Sequence, residues 1–216
     1  MKSGVSDKLD AFFSRYAVRN YPKGQILVHS GDEPAFIFYL VSGRVRQYNV
    51  SFRGDEVVLN VFKPGAFFPM LPVLSKRPNQ YFFETETETQ AYLAPPGDTI
   101  AFLKDNPDVL LDLLARVYSG MDGVLGRMYH LMSGSAKSRI LYELLIECRR
   151  FGVKNKEGGY NIAINEGDLA GRAGLTRETV SREVRKLGQD GLIIAGRKGI
   201  AISDIDLLEQ KLSAEV

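Results

Sequence analysis

Residues Asn165 to Leu192 read NEGDLAGRAGLTRETVSREVRKLGQDGL. The spacing predicts a short helix, a glycine-bearing turn and a second helix. Asn165 suits the N-cap of the first helix, with Asp168 three residues on in a capping-box-like position. Leu169, Ala170 and Ala173 give that helix a small apolar face, and Gly174 ends it. Thr176 can cap the second helix, whose buried side would be Val180, Val184 and Leu187 at i, i+4 and i+7. Arg177, Glu178, Ser181, Arg182 and Arg185 then occupy its first turn and outer face. This is a helix-turn-helix pattern, in which the N-terminal residues of the second helix meet base edges in the DNA major groove. Arg can donate two hydrogen bonds to guanine, and Glu can accept one from cytosine. Arg177, Glu178, Ser181 and Arg182 are therefore candidate base readers. The bland alternative is a solvated face with pairs such as Glu178–Arg182.

Working outward, Tyr160–Ile164 alternates as a strand should. Downstream, Ile193–Ala195 and Ile200–Ile202 form two short apolar runs around Gly196–Arg197–Lys198–Gly199, the pattern of a hairpin. Strand, helix, helix and hairpin make a winged helix. Thr176, Thr179, Arg185, Arg197 and Lys198 are candidate contacts to DNA phosphates, which position without reading sequence. Charge follows the same division. Ser135–Ser203 holds thirteen Lys and Arg against eight Asp and Glu, Met1–Gly134 is balanced at fourteen of each, and the tail from Asp204 carries a net −3. A basic excess on that segment suits phosphate neutralisation. The chain of 216 residues is long enough for two domains, and its one Cys excludes an internal disulfide framework. No apolar run reaches membrane-span length, and the N-terminus lacks a signal-peptide core, so a cytoplasmic protein is expected.

The first half reads differently. Short apolar runs between Tyr21 and Leu93 are separated by turn signals at Ser30–Gly31–Asp32, Ser42–Gly43, Arg53–Gly54–Asp55 and Lys63–Pro64–Gly65. That spacing predicts an antiparallel roll or jelly roll. In ETETET, Glu84, Glu86 and Glu88 are expected on one exposed face, with Thr85, Thr87 and Thr89 on the other. Asn106–Pro107–Asp108 starts a long helix in which Leu110, Leu114, Val117, Met121, Val124, Met128 and Leu131 alternate at spacings of four and three. Such a seam packs along a second helix, here that of another copy; the alternative is a core helix beneath the roll. Gly120, Gly123 and Gly126 weaken this helix or admit a close neighbour. Ser133–Gly134–Ser135 breaks it, and Lys137–Arg150 forms another helix with Ile140, Leu141, Leu144, Leu145 and Cys148 inward. The expected fold class is α+β: a β-roll over 1–105, a dimerisation helix and hinge over 106–134, and a winged helix-turn-helix over 135–216.

This order of parts resembles the Crp/Fnr superfamily of bacterial transcription regulators. The most specific stretches are Thr176–Arg177–Glu178–Thr179–Val180–Ser181–Arg182, Tyr39–Leu40–Val41–Ser42–Gly43–Arg44–Val45 and Phe62–Lys63–Pro64–Gly65–Ala66–Phe67–Phe68. The resemblance implies a homodimer on an inverted repeat in double-stranded DNA, with Arg177, Glu178 and Arg182 reading a G·C-containing half-site and Ser181 able to contribute. It also implies that Val153–Gly159 can touch RNA polymerase. The departures are specific. Where cyclic-nucleotide-binding relatives carry a ribose-holding Glu there is Met70, and Lys76–Arg77–Pro78–Asn79–Gln80–Tyr81 contains no phosphate-holding Arg–Ser pair. Cyclic AMP is therefore not the expected effector.

Phe67, Phe68, Met70, Leu71, Tyr81 and Phe83, with Val124 and Leu125 from the long helix, suit an apolar effector or constitute filled core. An iron–sulfur cluster needs about four thiolates, and Cys148 stands alone. A haem-type ligand is a weaker alternative, because His29 and His130, the two histidines, lie away from the family's haem positions. No cofactor or metal is assigned. Two isolated histidines cannot supply a cupin-like metal triad, and no nucleophile–base or phosphate-loop arrangement appears, so catalysis is not expected. The other competing class is a winged helix that grips protein.

Overall fold

The computed structural model describes residues 2–52, 54, 56–196 and 199–215. They form two compact units, Met1–Ser119 and Gly120–Val216.

The first unit contains helix α1 (Lys2–Phe13) and strands β1 (Val18–Tyr21), β2 (Ile26–Val28), β3 (Ile37–Ser42), β4 (Val45–Val50), β5 (Glu56–Phe62) and β6 (Phe67–Phe68). Helix α2 (Met70–Ser75), strands β7 (Phe82–Thr85) and β8 (Thr89–Ala94), and helix α3 (Pro96–Asp105) follow, then the first half of helix α4 (Pro107–Ser133). The strands form two antiparallel sheets, ordered β1-β8-β3-β6 and β2-β7-β4-β5. Both contribute to one apolar core, with Phe38, Leu40, Phe68 and Leu93 from the first and Val28, Val45 and Phe83 from the second. Successive strand residues face opposite ways. Ile37, Tyr39 and Phe67 therefore enter a second core with Leu9, Phe12 and Phe13 of α1, Leu103 of α3, and Val109 and Leu113 of α4. Burial on both faces explains why β3 reads as a continuous apolar run instead of an alternating one.

The ETETET segment corrects the expectation of an exposed acidic face at Glu84 and Glu86, while Glu88 is exposed. Glu84 receives the Arg46 guanidinium at 3.1 Å and the Tyr48 hydroxyl at 3.1 Å, and Glu86 pairs with Arg44 at 3.1 Å. Thr85 and Thr89 are buried. The cause is strand register: Arg46 lies opposite Glu84 on the neighbouring strand, so cross-strand charge pairs cover what one strand alone would expose.

The second unit continues from Gly120 along α4 into α5 (Ala136–Phe151), β9 (Val153–Lys154), β10 (Tyr160–Ile162), α6 (Glu166–Ala173), α7 (Arg177–Gln189), β11 (Ile193–Gly196), β12 (Gly199–Ile202) and α8 (Ile205–Ser213). Its sheet runs β11-β12-β10-β9. Ile140, Leu141, Leu144, Leu145 and Cys148 of α5 pack with Leu169, Val180, Val184, Leu187, Ile193, Ile200 and Ile202 in one core. Cys148 is a packed thiol, and burial pushes its pKa up.

The expected domain limits at 105/106 and 134/135 follow the ends of α4, whereas the compact units divide between Ser119 and Gly120. The physical reason is that α4 serves both. Val109 and Leu113 anchor its first half in the roll, and Arg116 donates to the Gly65 carbonyl at 2.9 Å. The second half holds α5, where Arg127 pairs with Glu143. The seam residues are not roll core: Leu114, Val117, Met121, Val124, Met128 and Leu131 are exposed on the single chain, and Leu110 is half-buried. Leu111, Tyr118, Leu125, Tyr129 and Met132 are exposed as well, so the apolar face is broader than the seam.

Candidate nucleic-acid interface

Helix α7 starts where its cap dictates. Thr176 has extended backbone, and its hydroxyl accepts the Thr179 amide at 3.3 Å. Asn165 caps α6 in the same way, accepting from the Asp168 amide at 2.9 Å. Between the helices Gly174 takes φ 61°, a left-handed conformation that glycine adopts without strain, and its amide closes the turn onto Ala170. Cap, turn and cap together fix the angle at which α7 leaves α6. Val180, Val184 and Leu187 lock its inner side into the core.

The outer side presents Arg177, Glu178, Arg182 and Arg185 to solvent, with Ser181 and Thr179 half-buried beside them. Arg177, Glu178, Ser181, Arg182 and Arg185 share one open hollow with Lys186 and Glu166. The four expected base readers are thus brought together on one surface. Glu178 is held below the ordinary carboxylate range by hydrogen bonds from its own amide and the Thr176 hydroxyl, helped by the Arg177 charge. It is therefore an anionic acceptor at neutral pH. Arg182 meets Glu183 at 3.7 Å, not the i,i+4 partner that the bland reading supposed.

Four residues at or behind this surface, Glu183, Lys186, Glu166 and Gly167, are not among the sequence candidates. Glu183 is buried within α7, and its carboxylate takes Lys186 at 2.9 Å as well as Arg182, so one acid steers two cations. The i,i+3 spacing of Glu183 and Lys186 was the available signal. Glu166 reaches the hollow from the start of α6, which only the turn geometry reveals. Gly167 lies beside the Arg177 guanidinium, with Nε and Cζ at ordinary contact distance from where a side chain would begin. Behind the surface, Arg172 of α6 pairs with Glu147 of α5 at 2.6 Å, both buried. The wing-tip contacts Arg197 and Lys198 lie outside the described residues. The flanking strands pair Gly196 with Gly199.

Within the roll, the buried members of the candidate effector set divide between two cores. Phe67 and Met70 belong to the core beneath the helices. Phe68 and Phe83 stack at 5.3 Å inside the roll, with Tyr81 against them. Leu71 is 61% exposed, and Val124 and Leu125 are exposed on the second unit. Phe67 and Phe68 are adjacent strand residues, so they face opposite ways. Phe67, Phe68 and Met70 are filled core. In the loop that lacks the Arg–Ser pair, Arg77 is exposed, while Asn79 is buried and donates to the carbonyls of His29 and Tyr81. Among the described residues, no group of three or more His, Cys, Asp or Glu is placed to hold a metal, and no helix is long and apolar enough to cross a membrane.

Comparison with known proteins agrees with both halves. Residues 18–106 match the cyclic nucleotide-binding domain family, and residues 138–211 match the Crp-like helix-turn-helix domain. The cyclic AMP receptor protein of Thermus thermophilus is 26% identical over 212 residues, covering 94% of this chain and 92% of its own. The fumarate nitrate reduction regulatory protein of Klebsiella oxytoca is 26% identical over 209 residues, covering 94% and 81%. A solved transcriptional regulator of the CRP/FNR family from Thermus thermophilus superposes with a TM-score of 0.75 at 21% identity, over 93% of this chain and 100% of that one, which supports the fold. With a roll, a long helix and a capped helix-turn-helix in that order, the chain belongs to the Crp/Fnr superfamily of DNA-binding transcription regulators.

Proposed function

We propose that the protein works as a homodimer, paired through the exposed face of α4, and reads an inverted repeat in double-stranded DNA with Arg177, Glu178, Ser181 and Arg182. The observation that carries this is the shared hollow along α7, lined by three arginines, a lysine, Ser181, Glu178 and, from α6, Glu166. Donors and an acceptor on one convex helix suit the major groove. Thr176, Thr179 and Arg185 hold phosphates, joined by Arg197 and Lys198 from the sequence pattern. The seam from Leu110 to Leu131 brings two recognition helices to half-sites about one helical turn apart, ~34 Å.

The effector reading differs from the relatives that are named for cyclic AMP. Met70, at the position of the ribose-holding glutamate, is buried among Phe67 and Leu9. Arg77 precedes Pro78 and is exposed. Neither position therefore supplies what the nucleotide-binding relatives use to hold the ribose and the cyclic phosphate. An apolar effector, if one acts, shifts the protein only by its differential affinity for two states. The segment Val153–Gly159 is the proposed contact for RNA polymerase. Val153 is 67% exposed, and the Asn155 side chain pins the turn by accepting the amides of Glu157 and Gly159. A cytoplasmic location goes with these partners.

Selection of bound duplexes from a random DNA library, with and without cell extract and with cyclic AMP as a separate arm, tests the reading. An enriched inverted repeat, unchanged by cyclic AMP, is expected. Failure to enrich any sequence overturns the DNA reading, and enrichment only with cyclic AMP overturns the effector reading.

A further inference from the structure

Three features of the second unit meet at Tyr142. Its hydroxyl donates to the Gly123 carbonyl of α4 at 2.9 Å. Its ring fills the space above Gly126, where a Cβ would overlap the hydroxyl and the adjoining ring carbon. The same ring lies 4.7 Å from the ring of His130, which is buried at 7% exposure. The next residue, Glu143, is 2% exposed and takes Arg127 in a two-bonded pair, with Arg127 Nη2 at 2.9 Å. One turn before, Arg139 donates to the Leu131 carbonyl at 2.9 Å. Gly120 and Gly123 have open space where a side chain would stand. Of the three helix glycines, Gly126 is thus the one whose missing side chain admits a neighbour.

We infer that Tyr142 and Gly126 form a latch that positions the winged helix on the C-terminal half of α4 and thereby sets the half-site spacing. Tyr142 is a positioning residue: it stands on α5, away from the recognition surface, and acts through the setting of α7. Helix α5 carries that setting onward, because Ile140, Leu141 and Leu144 share a core with Val180, Val184 and Leu187 of α7. The hydrogen bond and the ring contact act together. An alanine at 126 meets the far end of the tyrosine, so the ring yields before the helix backbone does. Moving the ring breaks the bond to Gly123 and uncovers His130. Alanine also favours the helix itself relative to glycine, so the latch can open without a general loss of stability. The spacing part of the inference rests on the dimer reading above; the latch does not.

Two measurements on the full-length protein separate these. Binding to inverted repeats whose half-sites are moved apart or together by one and two base pairs reads the setting of α7. Tyr142→Phe should reduce discrimination between the best spacing and its neighbours by roughly two- to tenfold, the equivalent of one net hydrogen bond, and Gly126→Ala by at least as much. Gly126→Ala combined with Tyr142→Ala should match Tyr142→Ala alone, because the two residues act as a unit. An equal loss of affinity at every spacing, or an unchanged profile, overturns the positioning role. Hydrogen exchange reads the latch without reference to pairing: Gly126→Ala should speed exchange over residues 123–133 and 136–143 and leave α6 and α7 at wild-type rates. Unchanged exchange overturns the latch even in a dimer. A monomeric wild-type protein overturns the dimer reading, and exchange then still decides the latch.

Discussion

Arg182 and Arg185 leave the same helix three residues apart and are assigned different work. Arg182 projects into the hollow with its guanidinium exposed and Glu183 at 3.7 Å, and a free planar fork suits bidentate readout of guanine. Arg182→Ala should lose about 1–3 kcal/mol on the preferred site and relax preference at one base pair. Arg185→Ala should weaken all duplexes alike and lower the salt slope by about one. Competition with singly substituted duplexes at several salt concentrations distinguishes them. Uniform loss in both would show that the division into readers and anchors is wrong. His130 offers a test by pH. Burial lowers its pKa below the ordinary 6.5, opposed in part by the negative charge of Glu143. The unfolded chain therefore takes up the proton first. Stability contributed by neutral His130 should be complete above about pH 6.5 and decline as pH falls towards the folded-state pKa. Urea unfolding of wild type and His130→Asn from pH 5 to 8 should show a difference that shrinks on acidification. A difference independent of pH would place the burial penalty elsewhere.

The elements that were legible carry their own end signals. Helices α6 and α7 announce themselves through Asn165, Gly174 and Thr176, because a cap is a bond between residues three apart and needs no distant partner. Asn165→Ala and Thr176→Ala should each lower stability by about 0.5–2 kcal/mol, and Thr176→Ser should restore most of the second loss. Denaturant midpoints check this, and full stability in both alanine variants would mean that packing alone holds the two helices. Helices α1, α2, α3 and α8 were not read from the sequence. Leu9, Phe12 and Phe13 of α1 have helical spacing, but the stretch is short, and its partners lie across the roll in β3 and α4. Helix α2 contains Pro72 and lasts six residues, too few for a period to show. Helix α8 does have a cap, with Asp204 accepting the amides of Asp206 and Leu207, hidden in a tail that reads first as acidic charge. The ion pairs of ETETET were illegible for a different reason: strand register is shared by two segments and written in neither. The candidate DNA residues share one helix, so their grouping follows from spacing alone, whereas Phe67 and Phe68 of the candidate effector set alternate between two cores that strand pairing creates.

At the scale of the whole molecule, the broad apolar face of α4 is the feature that a single chain leaves unexplained. Val117 is 55% exposed and Val124 is 43% exposed, so a charge at either position can be carried by one folded copy without entering its core. Between two copies the same charge would face an apolar seam and be desolvated without a partner, which is strongly unfavourable. Val117→Glu should therefore separate the copies and leave thermal unfolding of each cooperative. The consequence for DNA follows from linkage. While paired, the second recognition helix meets its half-site as an intramolecular event, and losing that advantage should reduce affinity for the inverted repeat by about 10²–10⁴-fold. Affinity for an isolated half-site should stay nearly constant, because Arg177, Glu178 and Arg182 are untouched. Sedimentation at micromolar protein, followed by binding to full and half repeats, measures both terms. A variant that sediments as a dimer would remove α4 as the pairing surface. One that is monomeric yet binds the full repeat with wild-type affinity would show that pairing contributes nothing to recognition, since the separation of two sites on one duplex matters only to a molecule that spans it.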